Sequence, residues 1–334
     1  MRDVAALVKR AAAEGFTRGE IVSLLRAEGE AAALLFASAD RLRAEVFGPV
    51  VHLRALIEFS NYCRNNCLYC GLRRGNRILR RYRMPPEEIV ALARRAAGHG
   101  FRTVVLQAGE DPYYTPSLLA GVVREVKRLG VQVALSVGEL ARADYALLRE
   151  AGADRYLLRH ETADPSLFAG LKPDTSFKRR CRCLRWLKEL GFETGAGPMV
   201  GLPGQTIASL ADDILLMRDL GVAMAGIGPF VPHPSTPLAT AAPGSVFLTM
   251  KVLAVTRLCL PLTNLPATTA VGAAAAGGRE AALRCGANVV MPDITPLRYR
   301  QLYEIYPGKW RVDPREGSFA RWQEYLKLLG RTAV

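Results

Sequence analysis

Three of the seven cysteines fall within eight residues, in the stretch NYCRNNCLYCG from position 61 to 71. Cys63, Cys67 and Cys70 stand in the spacing Cys-x3-Cys-x2-Cys, with Tyr69 just before the last. A structural zinc ion closes its tetrahedron with four ligands. The remaining cysteines are poor sources of a fourth, because Cys181 and Cys183 lie in a predicted helix, Cys259 near a helix end and Cys285 before a glycine. None of the four histidines has ligand spacing nearby. A disulfide would leave one thiol over. A 4Fe–4S cluster explains the count better, since three thiolates hold three irons and leave the fourth open to a small molecule. An open coordination position implies chemistry, as it does on catalytic zinc.

Such a triplet needs a rigid frame, and the rest of the chain alternates short apolar, β-rich runs with amphipathic helices. The predicted strands are 52–60, 103–110, 131–139, 154–161, 193–201, 222–230, 262–270 and 288–292. Helical periodicity occupies 86–98, 115–129, 141–151, 176–190, 206–219 and 245–259. Gly100, Gly130, Gly152, Gly191, Gly221 and Gly286 punctuate most of the helix ends. Eight evenly spaced strands alternating with helices predict an α/β fold, a parallel (β/α)8 TIM barrel, in preference to an open doubly wound sheet. The expected organisation is an N-terminal helical extension over 1–48, with Thr17 and Glu20 in capping-box spacing, a barrel over 49–310 and a C-terminal helical tail over 311–334. Chemistry in such barrels sits at the C-terminal ends of the strands. Those ends carry Cys63, Glu110, Ser136, Glu161, Met199, Thr268 and Thr269.

Half of the 334 residues are hydrophobic, ample for a large core. No apolar run reaches the ~18 residues of a membrane span, and the N-terminus lacks the apolar core and cleavage site of a secretory signal. A cytoplasmic protein is expected, with its cysteines as ligands or core residues rather than disulfides. The net charge is +14, partly concentrated in GLRRGNRILRRYRM (71–84), which holds Arg73, Arg74, Arg77, Arg80, Arg81 and Arg83. This run could grip nucleic acid, an acidic protein or an anionic substrate, or be a solvated loop. Tyr82 is its only aromatic, and without a nucleic-acid fold signature that partner ranks low.

The cysteine spacing and its preceding aromatic resemble the signature of the radical S-adenosylmethionine (SAM) enzymes. LQAGED (106–111) resembles the turn that receives the methionyl amine in that superfamily, and GAGPMVGLPGQT (195–206) the glycine motif beside the adenine, with a tight strand–helix turn as its plainer reading. Together IEFSNYCRNNCLYCGLRRGN, VVLQAGEDPYY, DRYLLRHETADPSLF, TGAGPMVGLPGQT, GIGPFVPHPSTPL, LPATTAVG, GREAALRCGANVVMP and YRQLYEIYPGK resemble the HydE family, radical SAM maturases of FeFe-hydrogenase, over roughly residues 10–310.

This resemblance implies a (β/α)8 barrel with one catalytic 4Fe–4S cluster on Cys63, Cys67 and Cys70. It implies SAM on the open iron, cleaved reductively to methionine and a 5′-deoxyadenosyl radical. The implied substrate is a cysteine-bound organometallic iron precursor bearing CO and cyanide, and the implied role is assembly of the diiron part of the H-cluster with other hydrogenase maturases. Tyr69, Gln107, Ser136, Glu161 and Arg180 match SAM-contacting positions, and Arg159 shares the strand end of Glu161. Glu161 suits ribose hydroxyls and Arg180 a carboxylate. Arg54, Arg155, Met224, Thr268, Thr269, Met291, Tyr303 and Tyr306 match the wall of the substrate cavity. The basic 71–84 segment becomes a dock for an acidic electron donor, a ferredoxin or flavodoxin, or for a partner maturase.

Plainer readings stand beside these. Arg54 and Arg155 could pair with core carboxylates, Met224 and Met291 could fill core gaps, Thr268 and Thr269 could be ordinary strand residues, and Tyr303 and Tyr306 could pack the last helix. His233 reads as a loop residue without chemistry. Two features depart from the family pattern. Many members carry extra cysteines near the C-terminus for a second cluster, whereas no cysteine follows Cys285 here, so no second cluster is expected. Ala134 stands on the third strand where a threonine is expected. The rivals are a radical SAM enzyme acting on a small metabolite, like methylornithine synthase or biotin synthase, and a zinc-stabilised basic nucleic-acid-binding protein. Sulfur insertion of the biotin synthase kind would want its extra cysteines on strands, and Cys181, Cys183, Cys259 and Cys285 all fall in or beside predicted helices.

Overall fold

The computed structural model describes residues 7, 15–311, 315 and 317–334, so the part of the expected helical extension at 1–6 and 8–14 lies outside the described residues. The strands are β1 (Val50–Ser60), β2 (Thr103–Ala108), β3 (Gln132–Ser136), β4 (Arg155–Leu157), β5 (Glu193–Ala196), β6 (Met199–Val200), β7 (Met224–Ala225), β8 (Gly228–Pro229), β9 (Val289–Val290) and β10 (Thr332–Ala333). β1, β2, β3, β4, β5 and β7 pair in parallel in that order, and β9 pairs with β1. The circuit is completed by two parallel bridges, Met224 to Asn264 and Pro266 to Val289. Six strands, the 264–266 segment and β9 thus form the eight-membered parallel ring that the spacing predicts.

The helices are α1 (Arg18–Leu25), α2 (Gly29–Phe47), α3 (Pro86–Gly98), α4 (Pro116–Lys127), α5 (Arg142–Glu150), α6 (Pro165–Leu171), α7 (Phe177–Glu189), α8 (Ile207–Leu220), α9 (Val246–Cys259), α10 (Thr269–Ala274), α11 (Gly278–Leu283), α12 (Leu297–Arg300) and α13 (Phe319–Leu328). Their starts are chemically marked. Thr17 and Glu20 make the expected capping box, and Thr115, Ser176, Thr206 and Ser245 each accept the N–H three residues on. Gly221 closes α8 in the left-handed conformation, at φ 58°. Among the described residues no helix is long and apolar enough to cross a membrane.

Three departures from the expected elements have local causes. The predicted strand 262–270 survives only as the two bridges, because Pro266 lacks the N–H that a ladder needs and Thr268 caps α10. The predicted strands 193–201 and 222–230 each break in two. Gly197, at φ 144°, presses so close to the Gly226 carbonyl that no side chain fits, and beyond the break β6 pairs with β8 apart from the main ring. The tail is a helix followed by a strand, since Thr332 and Ala333 pair with Val50 and Val51.

Where the ladder is thin, one side chain straps it. Arg257 on α9 is fully buried and donates Nε to the Gly286 carbonyl (2.9 Å), Nη1 to those of Pro261 (2.8 Å) and Thr263 (2.7 Å), and Nη2 to Asn288 Oδ1 (3.0 Å). Burial pushes its pKa down to about 10. Leaving these buried acceptors without a donor costs on the order of 1–3 kcal/mol apiece. Arg257→Met is therefore expected to lower unfolding stability by about 3 kcal/mol or more. An unmoved urea midpoint would remove Arg257 from this role.

Candidate active site

β1 delivers the cysteine loop directly to the C-terminal mouth of the barrel, where backbone bonds such as Gly71 N–H to the Ile305 carbonyl (3.0 Å) and several side chains hold it. Asn61 Nδ2 donates to the carbonyls of Arg80 (2.9 Å) and Leu302 (2.8 Å). Arg81 gathers four carbonyls, those of Asn61 (2.5 Å), Leu72 (2.8 Å), Arg73 (2.7 Å) and Asn76 (3.2 Å). Arg83 forks onto Asp111 at 2.8 and 2.9 Å and lies 3.8 Å above the Tyr62 ring. Arg74 bonds Asp174 at 2.7 Å. Much of the basic 71–84 segment is therefore internal scaffolding. Arg77 and Arg80 remain exposed, on either side of an Ile78 that is 83% exposed. Gly109, just past β2, packs so close to the Tyr62 carbonyl and the Cβ of Cys63 that any side chain there would displace the loop.

Cys63, Cys67 and Cys70 are free thiols lining one cavity of about 320 Å³. Burial raises the thiol pKa of Cys63 and Cys70. Among the described residues no three His, Cys, Asp or Glu side chains are grouped so as to hold a single metal ion. The zinc alternative thus has neither a fourth ligand nor an ion-sized grouping. Three thiols around a cavity that continues into the barrel suit a cluster with one iron left to a ligand. Cys181 and Cys183 lie on α7, Cys259 ends α9, and Cys285 follows α11; none of the four lines this cavity.

Tyr69, Gln107, Ser136, Arg159, Glu161 and Arg180 all line the same cavity. Glu161 is the only non-glycine residue with positive φ, 67°, among those described. Strain of this kind needs a surrounding structure that enforces it. The Glu161 N–H donates to the Gly197 carbonyl (3.2 Å), its carbonyl accepts from Met199 N–H (2.8 Å), and the Nδ1 of neighbouring His160 accepts from Gly197 N–H (3.2 Å). Glu161 Oε2 is buried without a hydrogen-bond partner, and so is Arg159 Nε; the two lie 3.6 Å apart. Burial opposes ionisation of Glu161, but Arg159, Lys172 and Arg180 outweigh it and hold the carboxyl below its usual range. A carboxylate and a guanidinium that line the cavity, each keeping a buried atom without a hydrogen-bond partner, fit a sugar's hydroxyls. Arg180 is anchored by Nε to Glu139 (2.7 Å) and by Nη1 to the Arg159 carbonyl. Gln107 leans back on Glu58, Nε2 to Oε1, at 3.4 Å.

Of the expected substrate wall, Thr268, Thr269, Met291, Tyr303 and Tyr306 line the cavity. The Thr268 hydroxyl donates to the Ile227 carbonyl at 3.1 Å, and Thr269 bonds the Tyr306 hydroxyl. Arg54, Arg155 and Met224 are not in this wall. They lie nearer the N-terminal ends of the strands, beyond an apolar layer of Leu56, Val105, Ala134 and Met291. Ala134, where a threonine is expected, belongs to that layer. Arg155 forks onto Glu193 at 2.6 and 3.2 Å, whereas Arg54, 3% exposed, bonds only the Met224 sulfur, at 3.1 Å. Burial, with the like charge of Arg155, lowers the Arg54 pKa to about 10.

The site also contains residues that sequence reasoning did not single out. Lys172 and Lys309 line the cavity; Lys309 Nζ pairs with Glu58 at 2.5 Å, both fully buried. Glu139 collects Arg180, Arg179 (2.9 Å) and Thr175 (2.7 Å). Inward alternation on β1 (Arg54, Leu56, Glu58) could have marked Glu58. The two lysines are single residues, Lys172 at the end of α6 and Lys309 at the start of a short 3-10 turn, and carry no such pattern. His233 is buried and caps a turn, with Nδ1 accepting from Ser235 N–H at 3.0 Å.

The signature of the Radical SAM superfamily matches residues 57–217. The FeFe hydrogenase maturase subunit HydE of Thermotoga maritima is 60% identical over 298 residues, 89% of this chain and 86% of that protein. The chain belongs to the HydE family. As a HydE-family member it is a radical SAM enzyme, a class that uses a 4Fe–4S cluster and SAM. Its fold is shared with methylornithine synthase (PylB), at TM-score 0.86 and 28% identity over 98% of this chain and 97% of that one. It is shared also with HydG, a maturase of the FeFe-hydrogenase, at TM-score 0.84 and 20% identity over 99% and 76% of the two chains.

Glu161→Gln keeps the shape and removes the charge. A hydrogen bond to a charged group contributes about 1.5–3 kcal/mol. SAM affinity is expected to fall at least tenfold with iron content unchanged; calorimetric titration at wild-type affinity would refute the assignment.

Proposed function

We propose that the protein is a FeFe-hydrogenase maturase that cleaves SAM on a cluster held by Cys63, Cys67 and Cys70 and directs the resulting radical at a cysteine-bound organometallic iron precursor during assembly of the diiron unit. The carrying observation is that the three thiols, the unpartnered Arg159–Glu161 pair and the Thr268–Thr269–Met291–Tyr303–Tyr306 wall all line one cavity. When bound, the cluster and SAM supply one-electron cleavage of a sulfonium to methionine and a 5′-deoxyadenosyl radical.

The chain's own residues supply position and exclusion. Glu161 accepts the ribose hydroxyls and Arg159 donates beside them. Arg180, fixed by Glu139, faces the methionine carboxylate. The apolar layer at Leu56, Val105, Ala134 and Met291 closes the cavity floor and keeps water from a reactive intermediate. Tyr303 and Tyr306 close the side next to the cysteine loop. Below the floor, Arg54 is a buried cation whose bonded partner is a thioether.

We propose a single cluster. The four cysteines outside the triplet belong to helices and core, and the tail docks through an apolar anchor, fully buried Trp322, together with Phe319 edge-on to Phe101. The proposed partners are other hydrogenase maturases and an acidic electron donor, a ferredoxin or flavodoxin, docking where Arg77, Ile78 and Arg80 project. Exposed charges are screened beyond about 8–10 Å in physiological salt. Reduction by such a donor is expected to slow severalfold between 50 and 300 mM salt; stopped-flow rates independent of salt would exclude this dock.

The deciding experiment is hydrogenase activation in an anaerobic mixture of the other maturases, apo-hydrogenase, SAM and reductant, lacking only this protein. Wild type is expected to restore hydrogen evolution and Cys70→Ala to give none. A sound cluster with reductive SAM cleavage but no rescue would move the substrate to a small metabolite, the reading that the likeness to methylornithine synthase favours.

A further inference from the structure

We propose that Lys172 tunes the reduction potential of the cluster, a role that rests on the reading of the cysteine triplet as cluster ligands. Lys172 is the residue that ends α6, its N–H donating to the Phe168 carbonyl at 2.9 Å. The preceding carbonyl, of Leu171, accepts the N–H of Leu68 at 2.9 Å, between the second and third cysteines. The end of α6 is thereby stitched to the loop. The side chain is 6% exposed and lines the cavity. Its Nζ donates to Cys67 Sγ at 3.3 Å and to the Tyr69 hydroxyl at 3.2 Å.

The contrast with the other buried lysines sharpens the point. Lys251 is neutralised by Glu28 at 2.7 Å and Lys309 by Glu58 at 2.5 Å. Lys172 forms no ion pair with a carboxylate among the described residues, although Glu161, Glu139 and Asp174 feel its charge; its hydrogen bonds go to a thiol and a phenol. It therefore presents its charge to a ligand sulfur in a setting that screens poorly. Cluster potentials respond to net charge and to hydrogen bonds on the ligand sulfurs. In the step concerned, one electron passes from a donor to the cluster, from the 2+ to the 1+ state. The added negative charge is stabilised by a cation at this distance, so Lys172 raises the potential. A donor then fills the cluster more readily.

The test is a dithionite titration of anaerobically reconstituted wild type, Lys172→Met and Lys172→Arg without SAM. The SO2 radical anion serves as the one-electron reductant, and the reduced cluster is followed by electron paramagnetic resonance with iron and sulfide quantified. Lys172→Met is expected to hold a full cluster whose reduced-to-oxidised ratio, at the wild-type midpoint, falls at least tenfold, a downward shift of 59 mV or more for one electron. Lys172→Arg keeps the charge and should stay within threefold of wild type. Should the Met variant lose iron, Lys172→Gln, which keeps an N–H donor without charge, carries the same comparison with an intermediate shift expected. A fully loaded uncharged variant with an unmoved midpoint would overturn the role of Lys172. A wild type without any reducible cluster would instead overturn the reading of the triplet, and this proposal with it.

Discussion

The loop that gathers three cysteines belongs to no helix or strand; turn hydrogen bonds hold it locally, and one guanidinium ties its two ends together. Arg81 ties the carbonyls of Asn61, Leu72, Arg73 and Asn76 into a single knot behind the cysteines. Without that donor set, four inward carbonyls would repel one another and lose their partners. Asn61, Arg74 and Arg83 extend the same solution outward to Leu302, Asp174 and Asp111. A basic segment that composition presents as free charge is thus largely spent on organising backbone, and the thiols inherit their positions from it.

Electrostatic order in the cavity follows from how each buried charge is compensated. Arg180 is held by Glu139 and Lys309 by Glu58, so both are fixed cations with restricted reach. Arg159 and Glu161 face each other without quite bonding, and each keeps an unpartnered atom. Lys172 has sulfur and phenol oxygen for neighbours. An unpaired polar group in a dry site is costly, so these gaps are informative. Arg159, Glu161 and Lys172 all line the cavity that the cysteine triplet opens into. The backbone of Glu161, at φ 67°, is strained at the same point, and the chain tolerates it because His160, Gly197 and Met199 enclose it.

Much of the architecture was legible in the sequence. Alternation of β-rich runs with amphipathic helices located seven of the eight ring segments as strands, and the cap residues marked helix starts to within about a residue. The eighth segment was misjudged because Pro266 and Thr268 cut an apparent strand to isolated bridges. Residues singled out by a spacing, as the cysteine triplet, or by a recurrent stretch, as Glu161 and Arg180, do line one cavity. Arg54, Arg155 and Met224 were matched to the same cavity, yet they lie beyond the apolar layer of Leu56, Val105, Ala134 and Met291. Depth along a strand is a matter of register and of which way a long side chain turns, and neither is written in residue type.

The sequence by itself determined the cysteine spacing and the barrel, which are written in local spacing and periodicity, and the family, which its recurrent stretches resemble. Only the tertiary structure decided which charges are free. Lys172 and Lys309 are both isolated lysines in the sequence, yet one meets a thiol and the other a buried carboxylate. The difference arises from contacts between segments 105 residues apart in one case and 251 in the other. Whether a charge is neutralised depends on what long-range packing brings within a few ångströms of it. No pattern of neighbouring residues carries that information.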